Sequence, residues 1–218
     1  MDKVQSIQAL EQFYAQYNLK DVISRFESQI TSNKKNDITQ LLKSGAIDVS
    51  LLDASMSIKD IVGQINVIIH AWGILVSLPH ILDDDEVIEY VSLGAGNGKK
   101  DFDLRTSHRI AEFKFISWKG GSETIRKNSL FKDFYNLAEN EESLEKYLYV
   151  LGFDHPKKAL QNNRSLKSTL AKKSLWDSFE TKYQDRYKDK NVGDYFKDHE
   201  HLVKIVDLKT IVPEFFDN

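Results

Sequence analysis

Two short runs of strand-like character, residues 102–106 and 109–118, carry the sharpest pattern in the chain. Both alternate or run apolar, and Ser107-His108 between them suits a two-residue hairpin turn. With that turn Thr106 faces Arg109, so Arg105 meets Ile110, Leu104 meets Ala111, Asp103 meets Glu112 and Asp101 meets Lys114. Side chains two apart on a strand share a face. The register therefore predicts Asp101, Asp103, Glu112 and Lys114 on one side and Phe102, Leu104, Ala111, Phe113 and Phe115 on the other. One face is expected to be buried and the other charged, and an odd-length loop would flip one strand's acids to the opposite side.

The flanking patterns extend the hairpin into a mixed α/β chain. Residues 1–57 read as short amphipathic helices, with Val4, Ile7, Leu10, Phe13, Tyr14 and Tyr17 on one stripe and Val22, Ile23, Phe26 and Ile30 on another. Ser32-Asn33-Lys34-Lys35-Asn36-Asp37 separates these from a further apolar run over 38–42. Core packing is their expected role, with an oligomerisation or DNA-contacting arm as the alternative. Residues 61–82 contain no Asp, Glu, Lys or Arg, a length that raises the question of a membrane span. Gln64, Asn66, His70, Ser77, Pro79 and His80 argue against a span, and Asp83-Asp84-Asp85-Glu86 ends the run abruptly. The pattern instead predicts a helix apolar nearly all round, buried as the first helix of an α/β layer, with His70 a hydrogen-bonded core residue rather than a base.

A strand is expected over 87–93. Gly94-Ala95-Gly96-Asn97-Gly98 then joins it to the hairpin, and its bare amides could also approach a phosphate. A strand rather than a helix follows, which excludes a dinucleotide fingerprint. After the hairpin, Gly120-Gly121 breaks the strand and Ser122 can cap a helix over 122–139 with Ile125, Leu130, Phe131, Phe134 and Leu137 as its apolar stripe. Residues 147–151 read as a fourth strand and 203–208 as a last strand at a sheet edge. Trp176, Phe179, Tyr183 and Tyr187 have helical spacing and are expected inward, with the neighbouring lysines outward.

At 218 residues, 41% hydrophobic and 11% aromatic, the chain can build one compact domain, or a core with an added helical segment. It has no cysteine, which removes disulfides and thiolate zinc sites. The first residues show neither the basic region nor the apolar core of a secretion signal, so a bacterial-type cytoplasmic location is expected. The net charge of −3 conceals a polarised molecule: residues 1–90 hold seven basic and thirteen acidic residues, residues 155–191 ten basic and four acidic. The basic segment could lie along a phosphate backbone, while the overall acidity argues mildly against tight non-specific DNA binding.

Two carboxylates facing each other about 5 Å apart repel by roughly 3 kcal/mol at an effective dielectric near 20. A whole domain is stable by only about 5–15 kcal/mol. The Asp103–Glu112 pairing is therefore an odd choice for the fold alone, and a divalent cation is a direct way to neutralise it. The bland alternative is a solvated hairpin edge on which Lys114 pairs with Asp101 or Glu112 and nothing binds.

Asp103, Glu112 and Lys114, in this succession of elements, resemble the PD-(D/E)xK nuclease superfamily. The resemblance covers roughly residues 60–150. Val91-Ser92-Leu93-Gly94-Ala95-Gly96-Asn97, Ala111-Glu112-Phe113-Lys114 and residues 126–134 also look like a group of bacterial members without an established substrate. The resemblance implies an α/β fold with a restriction-endonuclease-like core of helix, three-strand meander, helix and strand over 58–152. An N-terminal helical segment, 1–57, would precede it, and a C-terminal helical and strand extension, 153–218, would pack on it. In that family an Asp on the second strand and a Glu-x-Lys on the third bind magnesium and position the attacking water.

By resemblance Asp103 and Glu112 hold Mg2+, with Mn2+ as a substitute, and Lys114 orients or deprotonates water and stabilises developing charge. Glu89 is the choice for a further acidic ligand, with Glu86 behind it. Lys119, Arg126, Asn128 and Lys132 are assigned to the phosphate backbone. Phe102 stands where many members carry Pro. The implied function is a metal-dependent nuclease acting on DNA. The alternative is a catalytically inactive nuclease-fold binding module in a nucleic-acid-processing or defence complex. Dimers are common in related nucleases, although no heptad or interface stripe reports one here.

Overall fold

A computed structural model of the chain describes residues 2–30, 49–94, 102–115 and 123–213. The expectations placed on Asp101, Lys119, the cap at Ser122, residues 32–42 and the glycine-rich loop after Gly94 lie outside these residues. Two compact units are present, residues 1–66 and 67–218. The first holds α1 (Lys3–Gln16), α2 (Leu19–Ile30) and the start of α3 (Val49–Ile81), which runs into the second.

The second unit continues with β1 (Ile88–Val91), β2 (Leu104–Thr106), β3 (Arg109–Lys114), α4 (Thr124–Glu139) and β4 (Glu145–Val150). Short helices α5 (Asp154–Leu160) and α6 (Leu166–Thr169) follow, then α7 (Lys173–Tyr183), α8 (Val192–His199), β5 (Lys204–Asp207) and α9 (Leu208–Ile211). The five strands form one mixed sheet in sequence order. β1, β2 and β3 are antiparallel neighbours, whereas β4 and β5 add parallel to β3. A parallel neighbour needs a crossover, and α4 supplies it between β3 and β4 while the helices after residue 153 supply it between β4 and β5. The expected edge strand over 203–208 is β5.

The observed hairpin register, Leu104↔Ala111 and Arg105↔Ile110, is the one a two-residue turn dictates. The face expected to be charged carries Glu112 and Lys114 but is covered as well, so the alternative of a solvated hairpin edge does not hold. On one side Leu104, Ala111, Phe113 and Tyr149 pack with Ile74, Leu78 and Ile81 of α3 and Leu208 of α9. On the other, Ile110, Leu148 and Val150 pack under Leu130, Phe131, Phe134 and Leu137 of α4, together with Phe179, Tyr187 and Tyr195. The crossover connections of the parallel half cover the second face, and α3 before the sheet and α9 after it cover the first. Glu112 and Lys114 share the second face with Ile110, and the acid is 8% exposed. Phe102, expected with Leu104, instead packs against the α4 side, because regular β2 begins only at Leu104.

The C-terminal aromatics point inward as their spacing predicts. Phe179 and Tyr187 are buried, and Trp176 and Tyr183 pack on the same core. Within α4 the stripe holds from Leu130 to Leu137, but Ile125 is 87% exposed and stands outside it.

Helix α3 departs furthest from expectation. Ala71, Ile74, Leu78 and Ile81 are buried, as one stripe. Val67, Ile68, Trp72 and Leu75 in the second unit, and Leu52, Met56, Val62 and Ile65 in the first, are exposed. The helix is long and apolar enough by composition to cross a membrane, yet only 28% of its most apolar window is buried. Apolar composition all round did not translate into burial all round. A similar contrast holds in the first unit, where Phe13, Val22 and Phe26 pack with Leu51 while Val4, Ile7, Tyr14 and Ile23 of the expected stripes are exposed.

Candidate metal centre

Asp103, Glu112 and Lys114, three of the four residues that the hairpin arithmetic places on one face, meet at the open end of β2 and β3. Asp103 sits one residue before β2, where its amide still bonds Ala111 O at 3.1 Å and its carbonyl accepts from Ser92 N at 2.7 Å. Its carboxylate takes over the ladder: Oδ2 accepts from the Phe113 amide at 3.0 Å. Oδ1 lies 3.3 Å from His70 Nε2 of α3. Asp103 is thus fixed from two sides, by a strand amide and by an imidazole. Phe115 stacks on Phe113 and stands edge-on to His70. A Cβ at Gly73, one turn along α3, would lie 2.6 Å from the Phe115 ring, so glycine there lets the helix approach closely enough to deliver His70.

Glu112 projects beneath α4 and shares a hydrogen bond with Asp103. Lys114, at the end of β3, reaches Asp133 of α4 with Nζ 2.6 Å from Oδ2, both side chains being mostly buried. Burial, then the negative charges of Asp103 and Asp133, push the Glu112 carboxyl up to about 10. Burial also works to raise Asp103, but the bonds from His70 and the Phe113 amide outweigh it and hold that carboxyl below its ordinary value. Burial lifts Asp133 against the opposing pull of Lys114. The Lys114 ammonium is raised because Asp133 outweighs the burial that would lower it, and His70 is raised chiefly by Asp103. The local solution is a shared proton: Asp103 ionised, Glu112 protonated and donating to it. Three acids face one lysine and one histidine.

Such a set suits a hard divalent cation. Oxygen donors are the preferred ligands of Mg2+ and Mn2+, and a cation between Asp103 and Glu112 would take the place of the proton the pair now shares. Asp133, turned to Lys114, is the acid that sequence reasoning missed. The signal was its spacing: it lies between the core residues Phe131 and Phe134, one position after Lys132, on a helix already expected to cover the sheet.

The other predicted residues are placed elsewhere. Glu89 falls where the β1–β2 register shifts between Ile88 and Tyr90, and it pairs with Arg105 at 2.8 Å in the open. The bulge re-aims it, so the acid beside Asp103 comes from α4 instead. Arg126 pairs with Glu123 at 2.7 Å. Asn128 accepts from Arg164 of the C-terminal segment. Lys132 makes no side-chain hydrogen bond or ion pair among the described residues and lines a cavity with Phe102, Asn136 and Lys172. His70, expected in the core, is partly buried and touches the Asp103 carboxylate.

A second charged group occupies the turn end of the same hairpin. Ligand atoms of Asp83, Glu86 and His108 lie within 4.8 Å of one another. Arg109 already fills it, however, with Nη2 at 2.5 Å from Glu86 and 3.0 Å from Asp83, and Nε at 2.6 Å from Glu86. Thr106 adds a further bond to Glu86, and His108 Nδ1 lies 3.2 Å from Asp83. A guanidinium stands where a metal would, so Glu86, the second choice for a ligand, is a structural partner. Compared with protein-family models, with curated proteins and with solved structures, the chain matches none of them.

Proposed function

We propose that this protein is a metal-dependent nuclease of the PD-(D/E)xK type, hydrolysing phosphodiester bonds in DNA. The observation that carries the reading is the convergence of Asp103, Glu112 and Lys114 in one buried cluster with a carboxyl too many for its cations. The order α3, β1, β2, β3, α4, β4 supports it as the helix, meander, helix and strand of a restriction-endonuclease-like core.

Asp103 and Glu112 would hold Mg2+, which when bound polarises a phosphate oxygen and lowers the pKa of a coordinated water. The chain's own residues do the rest. The Phe113 amide and His70 fix the Asp103 carboxylate, so it is oriented before any ligand arrives. Glu112 gives up its proton on joining the site, which couples metal affinity to pH. Lys114 holds a permanent positive charge beside the two acids, suited to stabilising the developing charge on phosphorus oxygens. Asp133 keeps that ammonium in place.

The Lys114–Asp133 ion pair also favours a second reading, a binding module on the same fold in a nucleic-acid-processing or defence assembly, because a lysine already paired is not obliged to act on water. Cleavage of plasmid and single-stranded DNA with Mg2+ or with EDTA separates the two. Metal-dependent cleavage lost in Lys114→Ala supports the enzyme. Equal cleavage by Lys114→Ala, or none by the parent, contradicts it.

A further inference from the structure

A concave, polar cavity of about 330 Å³ is lined by Phe102 just ahead of β2, by Lys132, Asn136 and Glu139 of α4 and by the start of α7. Its walls are tied in sequence to the site: Phe102 precedes Asp103, and Lys132 precedes Asp133. Phe102 and Leu175 contribute apolar side chains to the lining, and Lys132 and Lys172 contribute basic ones. Asn136, one turn beyond Lys132, and Ser174 add neutral hydrogen-bonding groups. Among the described residues, none of these four polar side chains has a hydrogen bond or ion pair. The one carboxylate in the wall, Glu139, is already engaged by Lys182 at 2.7 Å and by the hydroxyls of Tyr183 and Tyr195, so it is turned away from an incoming anion.

This combination has a definite chemical match. An aromatic ring with an apolar side chain accepts the face of a base, an amide can pair with its edge, and two lysines attract the phosphate that follows. The volume lies at the lower end of the range for small-molecule pockets. A base still stacked and paired inside a duplex cannot enter such a recess. We propose that the cavity is the subsite for one unpaired nucleotide adjoining the scissile bond, and hence that the substrate is single-stranded or locally opened DNA. The proposal rests on the nuclease reading of the neighbouring centre, and it gives the basic C-terminal extension, which supplies Lys172, Ser174 and Leu175, a part in substrate choice.

The test is binding without hydrolysis: full-length protein in EDTA, titrated into a fluorescein-labelled oligothymidylate 12-mer and followed by anisotropy across a salt series. The Lys132→Ala/Lys172→Ala double variant should bind at least tenfold more weakly. Two lost phosphate contacts should also make its log affinity against log salt shallower by about 1.4. Phe102→Leu, which keeps the apolar packing and loses the ring, should weaken binding at least fivefold, and a blunt duplex of equal length should bind at least tenfold less tightly than the single strand. A control pair of exposed lysines outside both the cavity wall and residues 155–191, Lys197→Ala/Lys209→Ala, should change affinity less than twofold. Parental affinity and slope in the double variant, an equal loss in the control pair, or a preference for duplex would each overturn the subsite. A parent that binds the oligonucleotide through Lys132 and Lys172 yet never cuts with Mg2+ would instead overturn the nuclease reading and leave the subsite standing.

Discussion

The two ends of one hairpin carry charged clusters of opposite design. At the turn, Arg109 reaches Glu86 through two nitrogens and Asp83 through one, lies over the Tyr147 ring and is 5% exposed. The one guanidinium bridges both carboxylates there, and Glu86 is held below the ordinary carboxylate range because the Arg109 and Thr106 bonds outweigh its burial. At the open end, the same strands bring Asp103 and Glu112 together with Asp133 against Lys114, and one carboxyl retains its proton up to about 10. Burial differs as well: Asp83 at the turn is 63% exposed, whereas Asp103 and Asp133 at the open end are 17% and 13% exposed, so burial adds to the difference in charge balance. A matched guanidinium makes the first a brace; a missing cation makes the second a place where something positive is wanted.

Breaking the brace should give the largest effect on stability. Arg109→Met leaves the Glu86 carboxylate buried without its partner, a loss of about 3–5 kcal/mol. For a chain of this size that lowers Tm by about 6–20 °C, which a thermal melt at pH 7 would register. On the proposed nuclease reading, Lys114→Ala at the other end should lower kcat for DNA cleavage by about 10²–10³-fold, equivalent to roughly 3–4 kcal/mol, while anisotropy in EDTA shows DNA binding within a few-fold of the parent.

Glu112→Gln should act with the opposite sign to Arg109→Met. Because the folded pKa of Glu112 lies above its unfolded value, the native state keeps a proton that the unfolded chain has lost between about pH 4.5 and 10. Stability from this group therefore falls as pH rises through that window. Glutamine cannot ionise and removes the penalty, so the variant should be about 1–3 kcal/mol more stable than the parent at pH 8 without metal, with little difference at pH 4, and it should be inactive. Equal melts at the two pH values for parent and variant would show that the carboxyl ionises freely. The smallest effect belongs to Glu89→Gln, whose partner Arg105 is also held by Glu142; its stability should change by less than about 0.5 kcal/mol and its cleavage rate by less than twofold.

The hairpin was legible because its turn and its alternation specify the same register, and period-two arithmetic carried Asp103, Glu112 and Lys114 to one end of it. The acid from α4 was not, since its position between the core residues Phe131 and Phe134 says that Asp133 lies near the sheet but not that it faces Lys114 of β3. Glu89 failed for a local reason: a one-residue irregularity in β1 turns a strand position to another neighbour. The exposed side of α3 failed for a different one. Hydrophobic composition tells that a helix wants cover but not which neighbours are within reach, and here one stripe from Ala71 to Ile81 is covered while Ile68 and Trp72 are exposed. His70 shows the same limit at single-residue scale, because a histidine on an apolar helix reads as core until Asp103 is seen beside it.

Calorimetric titration of Mg2+ or Mn2+ into the metal-free protein at pH 7, in two buffers of different ionisation enthalpy, tests the contrast between the two ends most directly. The account predicts a binding heat that differs between the buffers, because a proton leaves Glu112 as the cation enters, that is lost in Glu112→Gln and that persists in Glu89→Gln. No heat from the parent, or an undiminished heat in Glu112→Gln, would contradict it.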